Sequence, residues 1–240
     1  MLITLLSAKG SPGVTTTAAA LAAAASPQLD TLVVEVDPSG GDIEVLTGVT
    51  GEPGLLRAAN DLRRNVEAEV LPAYAVAAPP GVSAILAPTS APATASVVTS
   101  VADRLGSALR TLPGTVLADA GRWDPAQPSA GRIAGADVVA IVCRPTALSV
   151  EHARHLLDRI REVTRPVVAV LVGDRPYGAG EIASVLETPV AGVIAWDPGG
   201  VAALWAEGVT RRWTKSWLAR SARATHDSLL EVVAPVEARR

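Results

Sequence analysis

Short runs of apolar residues, rich in β-branched side chains, alternate along the chain with longer segments of helical composition. The runs are Met1–Leu6, Thr31–Val36, Val82–Ala87, Gly114–Ala118, Asp137–Cys143, Pro166–Val172 and Val190–Ala195. Continuous apolar runs of this length are typical of strands buried on both faces, and most of the intervals between them are long enough for a helix. The pattern therefore predicts an α/β fold, a three-layer αβα sandwich with a mostly parallel central sheet.

Length and composition favour one large core. The chain has 240 residues, of which 49% are hydrophobic, so we predict a single domain over residues 1–240. The net charge of −3 argues against nucleic-acid binding through the field of the whole protein, although it leaves a local basic patch open. The one cysteine, Cys143, excludes an internal disulfide, and its place at the end of an apolar run predicts a small core residue.

The sequence also bears on location. No apolar run approaches the roughly 20 residues of a membrane span. The apolar N-terminus is interrupted by Lys9, Gly10 and Pro12 and follows no charged segment, so it does not have the pattern of a targeting peptide. Together with the lone cysteine, these features lead us to expect a cytoplasmic protein.

A glycine-containing loop follows the first predicted strand and precedes an alanine-rich helical segment. Its sequence is Ala8-Lys9-Gly10-Ser11-Pro12-Gly13-Val14-Thr15-Thr16. Strand, loop and helix in this order are typical of a phosphate-binding P-loop, whose Walker A motif is G-x-x-x-x-G-K-[ST]. Gly13 and Thr15 occupy their motif positions, but Val14 stands where the motif has its phosphate-binding lysine.

The missing lysine has a cost that can be estimated. A charge-assisted hydrogen bond contributes about 1.5–3 kcal/mol, so its loss weakens binding roughly ten- to hundred-fold. Pro12 removes one more backbone donor, whereas the remaining N–H groups and the helix N-terminus still favour anions. Hydrolysis should suffer more than binding, because the lysine also neutralises charge that develops during phosphoryl transfer. The residues that can replace the missing positive charge are Lys9 and the many arginines.

Two acidic segments follow later strands. One is the turn Glu35-Val36-Asp37-Pro38-Ser39-Gly40-Gly41-Asp42, and the other is the end of a buried strand at Asp119. In a parallel sheet the carboxyl ends of the strands share one edge, where ligands bind. Aspartate is also common at the start of ordinary turns and helices, so a purely structural role stays open for Asp37 and Asp119.

These segments resemble the motifs of the MinD/ParA family of dimeric P-loop ATPases. The loop is similar to the deviant Walker A sequence K-G-G-x-G-K-[ST]-T, with Lys9 at the early lysine. The turn around Asp37 is similar to the family's D-x-D-P-Q-G segment, and Asp119 matches the Walker B aspartate. Later segments, including Val170–Pro176 and Gly192–Pro198, extend the resemblance to about residue 205.

The resemblance implies ATP and Mg²⁺ as cofactors and a homodimer with the nucleotides at its interface. It implies that Asp37 orients the attacking water and that Lys9 reaches across to the partner's nucleotide. It implies that Thr15 and Asp119 hold the magnesium ion. The residues expected to bind the nucleotide are Gly10, Ser11, Gly13, Val14, Thr15 and Thr16.

The chain departs from the family pattern at three places. Val14 replaces the Walker A lysine, and Glu35 and Ser39 replace the usual Asp and Gln of the acidic turn. Gly173 stands where the family has the asparagine that recognises adenine, and Asp174 follows it in what we expect to be an exposed loop. Phosphate binding and base recognition are therefore both weakened.

A Trp/Arg-rich segment distinguishes the C-terminal region, for which we predict helices over residues 203–240. Trp205, Trp213 and Trp217 lie there among several basic residues. In the family this region binds membrane in MinD proteins and DNA in ParA proteins. A helical wheel does not separate Arg220 from the tryptophans, which favours core packing or a protein interface and leaves DNA and membrane as alternatives. The three histidines, His152, His155 and His226, are expected to be exposed helix residues.

Two functions, and a third in which the chain is a nucleotide-free scaffold, are consistent with these observations. The first is a degenerate MinD/ParA-like pseudo-ATPase with weak or no hydrolysis, a localisation or scaffold factor that positions a protein partner, as the similarly eroded TadZ/CpaE proteins do in pilus assembly. The alternative is a slow Mg-dependent ATPase that drives partitioning of DNA or another cargo. Nonspecific binding of DNA or membrane is the less favoured mode of positioning.

Overall fold

A computed structural model describes residues 1–25, 30–64, 68–78, 81–123, 135–163, 166–206 and 211–237. Within these ranges eight strands form one sheet. The strands are β1 (Leu2–Ser7), β2 (Thr31–Glu35), β3 (Val76–Ala78), β4 (Val82–Ile85), β5 (Thr115–Arg122), β6 (Val138–Cys143), β7 (Val167–Val172) and β8 (Val190–Ile194). Their order across the sheet is β3-β4-β2-β5-β1-β6-β7-β8.

Helices connect most of the strands. They are α1 (Val14–Ala24), α2 (Ile43–Thr47), α3 (Gly54–Arg63), α4 (Ala91–Thr111), α5 (Ala147–Arg161), α6 (Ala179–Leu186), α7 (Pro198–Leu204), α8 (Arg211–Thr214) and α9 (Trp217–Glu237), with a 3₁₀-helix over Ala68–Tyr74. None of the helices described is long and apolar enough to cross a membrane.

The predicted strands are all present, and all neighbouring pairs are parallel except one. The exception is the edge strand β3, which pairs antiparallel with β4 and was not predicted, because three residues are too few to show a period. Strand β5 continues past its predicted end at Ala118 as far as Arg122. The predicted αβα sandwich with a mostly parallel sheet is confirmed.

Both faces of the sheet are buried, which explains the continuous apolar runs. Along β1, Leu2 and Leu6 belong to the apolar cluster beneath α3, α4, α5 and α6. Ile3 and Leu5 belong to the cluster on the opposite face, beneath α1, α7 and α9. Cys143 is buried in the first cluster, as its position at the end of an apolar run predicted.

The C-terminal region is helical where it is described; residues 207–210 and 238–240 lie outside the described residues. Helix α9 packs against α1 and β8 and buries Leu218, Ala222 and Leu229. The Trp213 ring is only 2% exposed, which confirms core packing for this residue. Trp217, by contrast, is 70% exposed.

The prediction that all three histidines are exposed is wrong for His226. Its side chain is 0% exposed, because Ala222 and Leu229, one helical turn before and after it, lie on the same buried face of α9. Burial lowers the pKa of His226, and neighbouring Asp227 opposes this only in part. His155 is exposed as predicted, and His152 is half-buried.

Candidate functional site

The loop between β1 and α1 has the backbone of an anion cradle. Gly10 and Gly13 adopt φ angles of 76° and 104°, the left-handed region that glycine tolerates best. Gly13 directly precedes α1 as its N-cap, and its carbonyl accepts a 2.8 Å hydrogen bond from the Thr17 amide. No side chain caps this helix, so the first-turn amides, which include those of Val14 and Thr15, stay available to an anion.

Val14 contributes no charge to this loop. Its side chain is 6% exposed and belongs to the apolar cluster that contains Ala18 and Leu21. The position that carries the Walker A lysine is therefore part of the hydrophobic core, and the helix start is stabilised by apolar burial.

A cavity of about 530 Å³ opens in front of the loop, and we call it the loop cavity. It lies at the carboxyl ends of β1, β2 and β5, which is where a parallel sheet binds ligands. The cavity brings together all the residues expected to bind nucleotide and the expected catalytic residue Asp37. Its lining consists of Ser7, Gly10, Ser11, Pro12, Gly13, Val14, Thr15, Thr16, Asp37, Ser39, Asp42, Leu46, Gly121 and Arg122.

Asp119 is buried behind the loop cavity beside Thr15. Its carboxylate accepts hydrogen bonds from the Thr15 hydroxyl and, at 3.0 Å, from the Gly121 amide. Burial raises the pKa of Asp119 from 3.8 to about 7; the nearby Glu35 and Asp37 carboxylates add to this effect, and the two hydrogen bonds oppose it. Asp119 and Thr15, the predicted magnesium ligands, are thus in direct contact.

Glu35 has a structural role that the sequence did not suggest. Its buried carboxylate accepts hydrogen bonds from the amides of Asp42 at 2.8 Å, Ile43 at 2.9 Å and Ala87 at 3.0 Å. Burial raises the pKa of Glu35, although the three amide donors oppose this effect. The carboxylate joins the end of β2 to the start of α2 and to the segment after β4, and it fixes the two ends of the acidic turn.

Asp37 lies in that turn and faces the loop cavity. Its Oδ1 accepts a 2.8 Å hydrogen bond from the Ser39 amide, so the side chain is oriented by its own turn. Its Oδ2 lies against Gly121, where a Cβ atom would come within 1.7 Å of it. Asp37 is therefore fixed between the acidic turn and the end of β5.

Lys9, the other expected catalytic residue, does not line the loop cavity. It is exposed and lines an adjacent cavity of about 510 Å³, which we call the lysine cavity. The two cavities share Gly10, Ser11, Pro12 and Arg122. The rest of the lysine cavity is formed by Arg144, Thr146, Leu148, Ser149 and His152.

A third cavity, of about 430 Å³, lies on the other side of the loop, and we call it the tryptophan cavity. It is mainly apolar and runs from Pro12 and Thr16 to the residues after β8, including Trp196. The Arg144 guanidinium lies 4.7 Å from the centre of the Trp196 ring, a cation–π contact. Asp197 closes this wall by accepting hydrogen bonds from the amides of Gly200, Trp217 and Leu218 at 2.8–3.3 Å.

Comparison with known proteins gives matches at the level of structure. No family model and no curated protein matches the sequence. A ParA family ATPase from Chlorobium tepidum TLS superimposes with a TM-score of 0.75 at 22% identity, over 94% of this chain and 98% of that chain. MinD from Pyrococcus horikoshii OT3, complexed with Mg-ADP, superimposes with a TM-score of 0.70 at 15% identity, over 98% of this chain and 97% of that chain. The MinC:MinD complex of Aquifex aeolicus gives 0.67 at 15% identity over 96% and 95%.

The chain has the MinD/ParA fold. This confirms the fold that the motifs predicted, and it places the loop, the acidic turn and the end of β5 on one edge of a MinD/ParA sheet. The fold also places Gly173 and exposed Asp174 after β7, and neither is among the described residues that line the tryptophan cavity. The predicted loss of an asparagine contact to the base remains a prediction.

Sequence reasoning missed three residues that line the cavities around the loop. Arg122, Arg144 and Trp196 lie at or just beyond the ends of β5, β6 and β8, on the same edge as the loop. Position alone could have suggested Arg144 and Trp196, since each directly follows or nearly follows an apolar strand. Arg122 could not have been found in this way, because the extra length of β5 was not predicted.

Proposed function

We propose that this chain, acting as one domain, binds Mg-ATP weakly in the loop cavity, hydrolyses it slowly or not at all, and serves as a localisation or scaffold factor. One observation carries the proposal: Val14 is buried in the core, whereas the anion cradle and the Thr15–Asp119 pair are retained. A loop of this kind keeps part of its affinity for phosphate through the backbone amides but lacks the lysine charge that speeds phosphoryl transfer.

The residues of the loop cavity fit a magnesium nucleotide. Backbone amides at the start of α1 suit phosphate oxygens, and the Thr15 hydroxyl and the Asp119 carboxylate suit magnesium. Among the residues described, no group of three or more His, Cys, Asp or Glu side chains forms a metal site. A magnesium ion here therefore needs phosphate oxygens and water as further ligands, as is usual for this ion. The Mg-ADP complex of the Pyrococcus horikoshii MinD, which has the same fold, supports this assignment.

The position of Lys9 supports a homodimer with the nucleotide at its interface. Its side chain is exposed and lines the lysine cavity, outside the loop cavity of its own subunit. A lysine so placed can reach a second copy more easily than its own phosphates. In this proposal the lysine that acts in cis is lost and the lysine that acts in trans is kept.

A protein partner is the cargo we favour. Trp196 and Trp217 are exposed on the same side of the molecule, next to the shared carboxylate of Asp197, and exposed tryptophans are enriched at protein interfaces. The MinC:MinD complex supports a protein partner for this fold. A TadZ/CpaE-like role in pilus or secretion assembly, in the cytoplasm, is the specific form of this proposal. DNA or membrane binding through Arg211, Arg212 and Arg220 is the alternative route to positioning.

Calorimetric titration with Mg-ATP tests nucleotide binding. The parent protein should bind saturably, Thr15→Ala should bind more weakly, and Val14→Lys should bind roughly ten- to hundred-fold more tightly than the parent. Absence of binding by the parent combined with binding by Val14→Lys would refute weak binding and favour a nucleotide-free scaffold of the same fold.

A slow Mg-dependent ATPase is the second candidate, because Asp37 is fixed at the edge of the loop cavity as a water-orienting residue requires. Steady phosphate release by the parent that is lost in Asp37→Ala would favour this reading. Phosphate release equal in the parent and in Asp37→Ala would exclude it. Retention on DNA that is lost in an Arg211→Ala/Arg212→Ala variant would connect such an ATPase to partitioning.

A further inference from the structure

The loop cavity has acidic side chains and few positive ones. Asp37 and Asp42 line it, and Asp119 lies behind it. Among the described residues that line it, Arg122 is the one with a positively charged side chain. Lys9 and Arg144 line the lysine cavity instead, and Arg144 stacks on Trp196.

A β-bulge at the end of β5 determines where Arg122 lies. Leu5 of β1 pairs with Asp119 of β5, and the next pair along the ladder is Ser7 with Arg122. Between these two pairs β1 advances by two residues, whereas β5 advances by three. The extra residue is accommodated at Gly121, where φ is +58°. Beyond it the ladder resumes, because the Trp123 amide donates a 2.8 Å hydrogen bond to the Ser7 carbonyl.

The bulge changes the face of the sheet to which Arg122 belongs. In a regular strand, residues 119 and 122 would point to opposite faces, since side chains alternate. The extra residue cancels this alternation, so Arg122 lies on the same face as Asp119, and that is the face covered by α1 and the loop. Arg122 is exposed, and no hydrogen bond or ion pair to another described residue holds its guanidinium.

We propose that Arg122 provides in cis the positive charge that Val14 does not, by binding the terminal phosphate of the nucleotide. The inference rests on the proposed function and assigns a phosphate-binding residue to the same site. A guanidinium suits this role, since it can donate two parallel hydrogen bonds to a phosphate and keeps its charge at any physiological pH. It lies at the end of β5, whereas a Walker A lysine would lie at the start of α1.

Calorimetric titration of the full chain with Mg-ATP and with Mg-ADP tests the role of Arg122. Arg122→Ala and Arg122→Gln should weaken Mg-ATP binding about ten- to hundred-fold, with a smaller effect on Mg-ADP, which lacks the terminal phosphate. Arg122→Lys should keep most of the affinity. Arg175→Ala is the matched control, because Arg175 is exposed at the same edge of the sheet and lines none of the three cavities.

A double variant separates phosphate binding from a merely structural role. Val14→Lys should restore Mg-ATP affinity to Arg122→Ala, because the lysine adds a charge-assisted hydrogen bond to the phosphates that offsets the one lost with Arg122. A structural defect at Arg122 would not be repaired by a lysine on a different element.

The outcomes distinguish this inference from the proposed function. If the parent binds Mg-ATP and both Arg122→Ala and Arg122→Gln bind equally well, the role of Arg122 is refuted and weak nucleotide binding stands. If the parent does not bind Mg-ATP but Val14→Lys does, both are refuted, since Arg122 then fails to replace the lysine.

Discussion

Because the carboxyl group of Asp119 is buried, we expect Asp119→Asn to be more stable than the parent at alkaline pH. Burial raises the pKa of this group from 3.8 to about 7, so the folded chain holds the proton more tightly than the unfolded chain does. The stabilising contribution of the protonated group is complete below about pH 4 and is lost as the pH rises through about 7. An asparagine at this position stays neutral at every pH, so its contribution to stability does not fall as the pH rises.

The magnitude follows from the two pKa values. A tenfold change in proton affinity corresponds to about 1.4 kcal/mol, so the ionised carboxylate costs about 4 kcal/mol of unfolding free energy at pH 8. At pH 5.5 the cost is about 2 kcal/mol, because the unfolded chain is ionised there and the folded chain is still protonated. Asparagine retains an oxygen that can accept the bonds from Thr15 and the Gly121 amide.

Urea denaturation without magnesium, at pH 5.5 and pH 8, measures this effect. The advantage of Asp119→Asn over the parent should grow from about 2 to about 4 kcal/mol between these pH values. Asp174→Asn, in an exposed loop, is the control and should change stability by less than about 0.5 kcal/mol at either pH. An advantage that is equal at the two pH values would refute the reasoning, since it would show that the carboxyl group of the folded chain is already ionised at pH 5.5, as it is in the unfolded chain.

Three further predictions concern single contacts. Gly121→Ala should destabilise the protein by about 1–3 kcal/mol, because the new Cβ atom would displace Asp37 and because φ is +58° at this position. It should also lower any ATP turnover. Urea denaturation measures the first effect and phosphate release the second, and a stability equal to that of the parent would contradict the close contact between Gly121 and Asp37. Asp197→Ala should lower the free energy of unfolding, measured in urea, by about 1–2 kcal/mol, since the Asp197 carboxylate caps both α7 and α9. Hydrogen bonds from backbone amides lower the pKa of Asp197, so the stabilisation by this carboxylate is present above about pH 4 and is lost as the pH falls below it. His226→Leu should become more stable relative to the parent as the pH falls from 7.5 to 5.5, because burial lowers the pKa of His226 and the folded chain then resists protonation; a relative stability that does not change with pH would contradict this.

Much of the fold could be predicted from the sequence because the sheet is buried on both faces. Such strands, β6 and β7 among them, are uninterrupted apolar runs and need no knowledge of their neighbours to be recognised. Short β3 has no such pattern. The burial of His226 was also out of reach, because it depends on which face of α9 meets α1, and the helical wheel of this segment mixes charged and aromatic residues.

The site was predictable where spacing determines position and unpredictable where the backbone departs from regular geometry. Thr15 lies at the start of the helix after β1, Asp37 lies just after β2, and Asp119 lies near the end of β5, so the sheet brings them to one edge as expected. Arg122 reaches the same place only through one extra residue in β5, and strict alternation would have assigned it to the opposite face. Glu35 shows a related limit, since its three amide donors come from residues distant in the sequence or in a turn.

The proton on Asp119 has a consequence for the heat of ligand binding. Burial raises the pKa of this carboxyl group to about 7, whereas a magnesium ion beside the carboxylate would require the ionised form. If magnesium binds as proposed, binding near pH 7 therefore releases protons into the buffer. Titrations in PIPES and in Tris, which take up protons with different enthalpies, should yield the same affinity but different apparent enthalpies, and the difference between them counts the protons released.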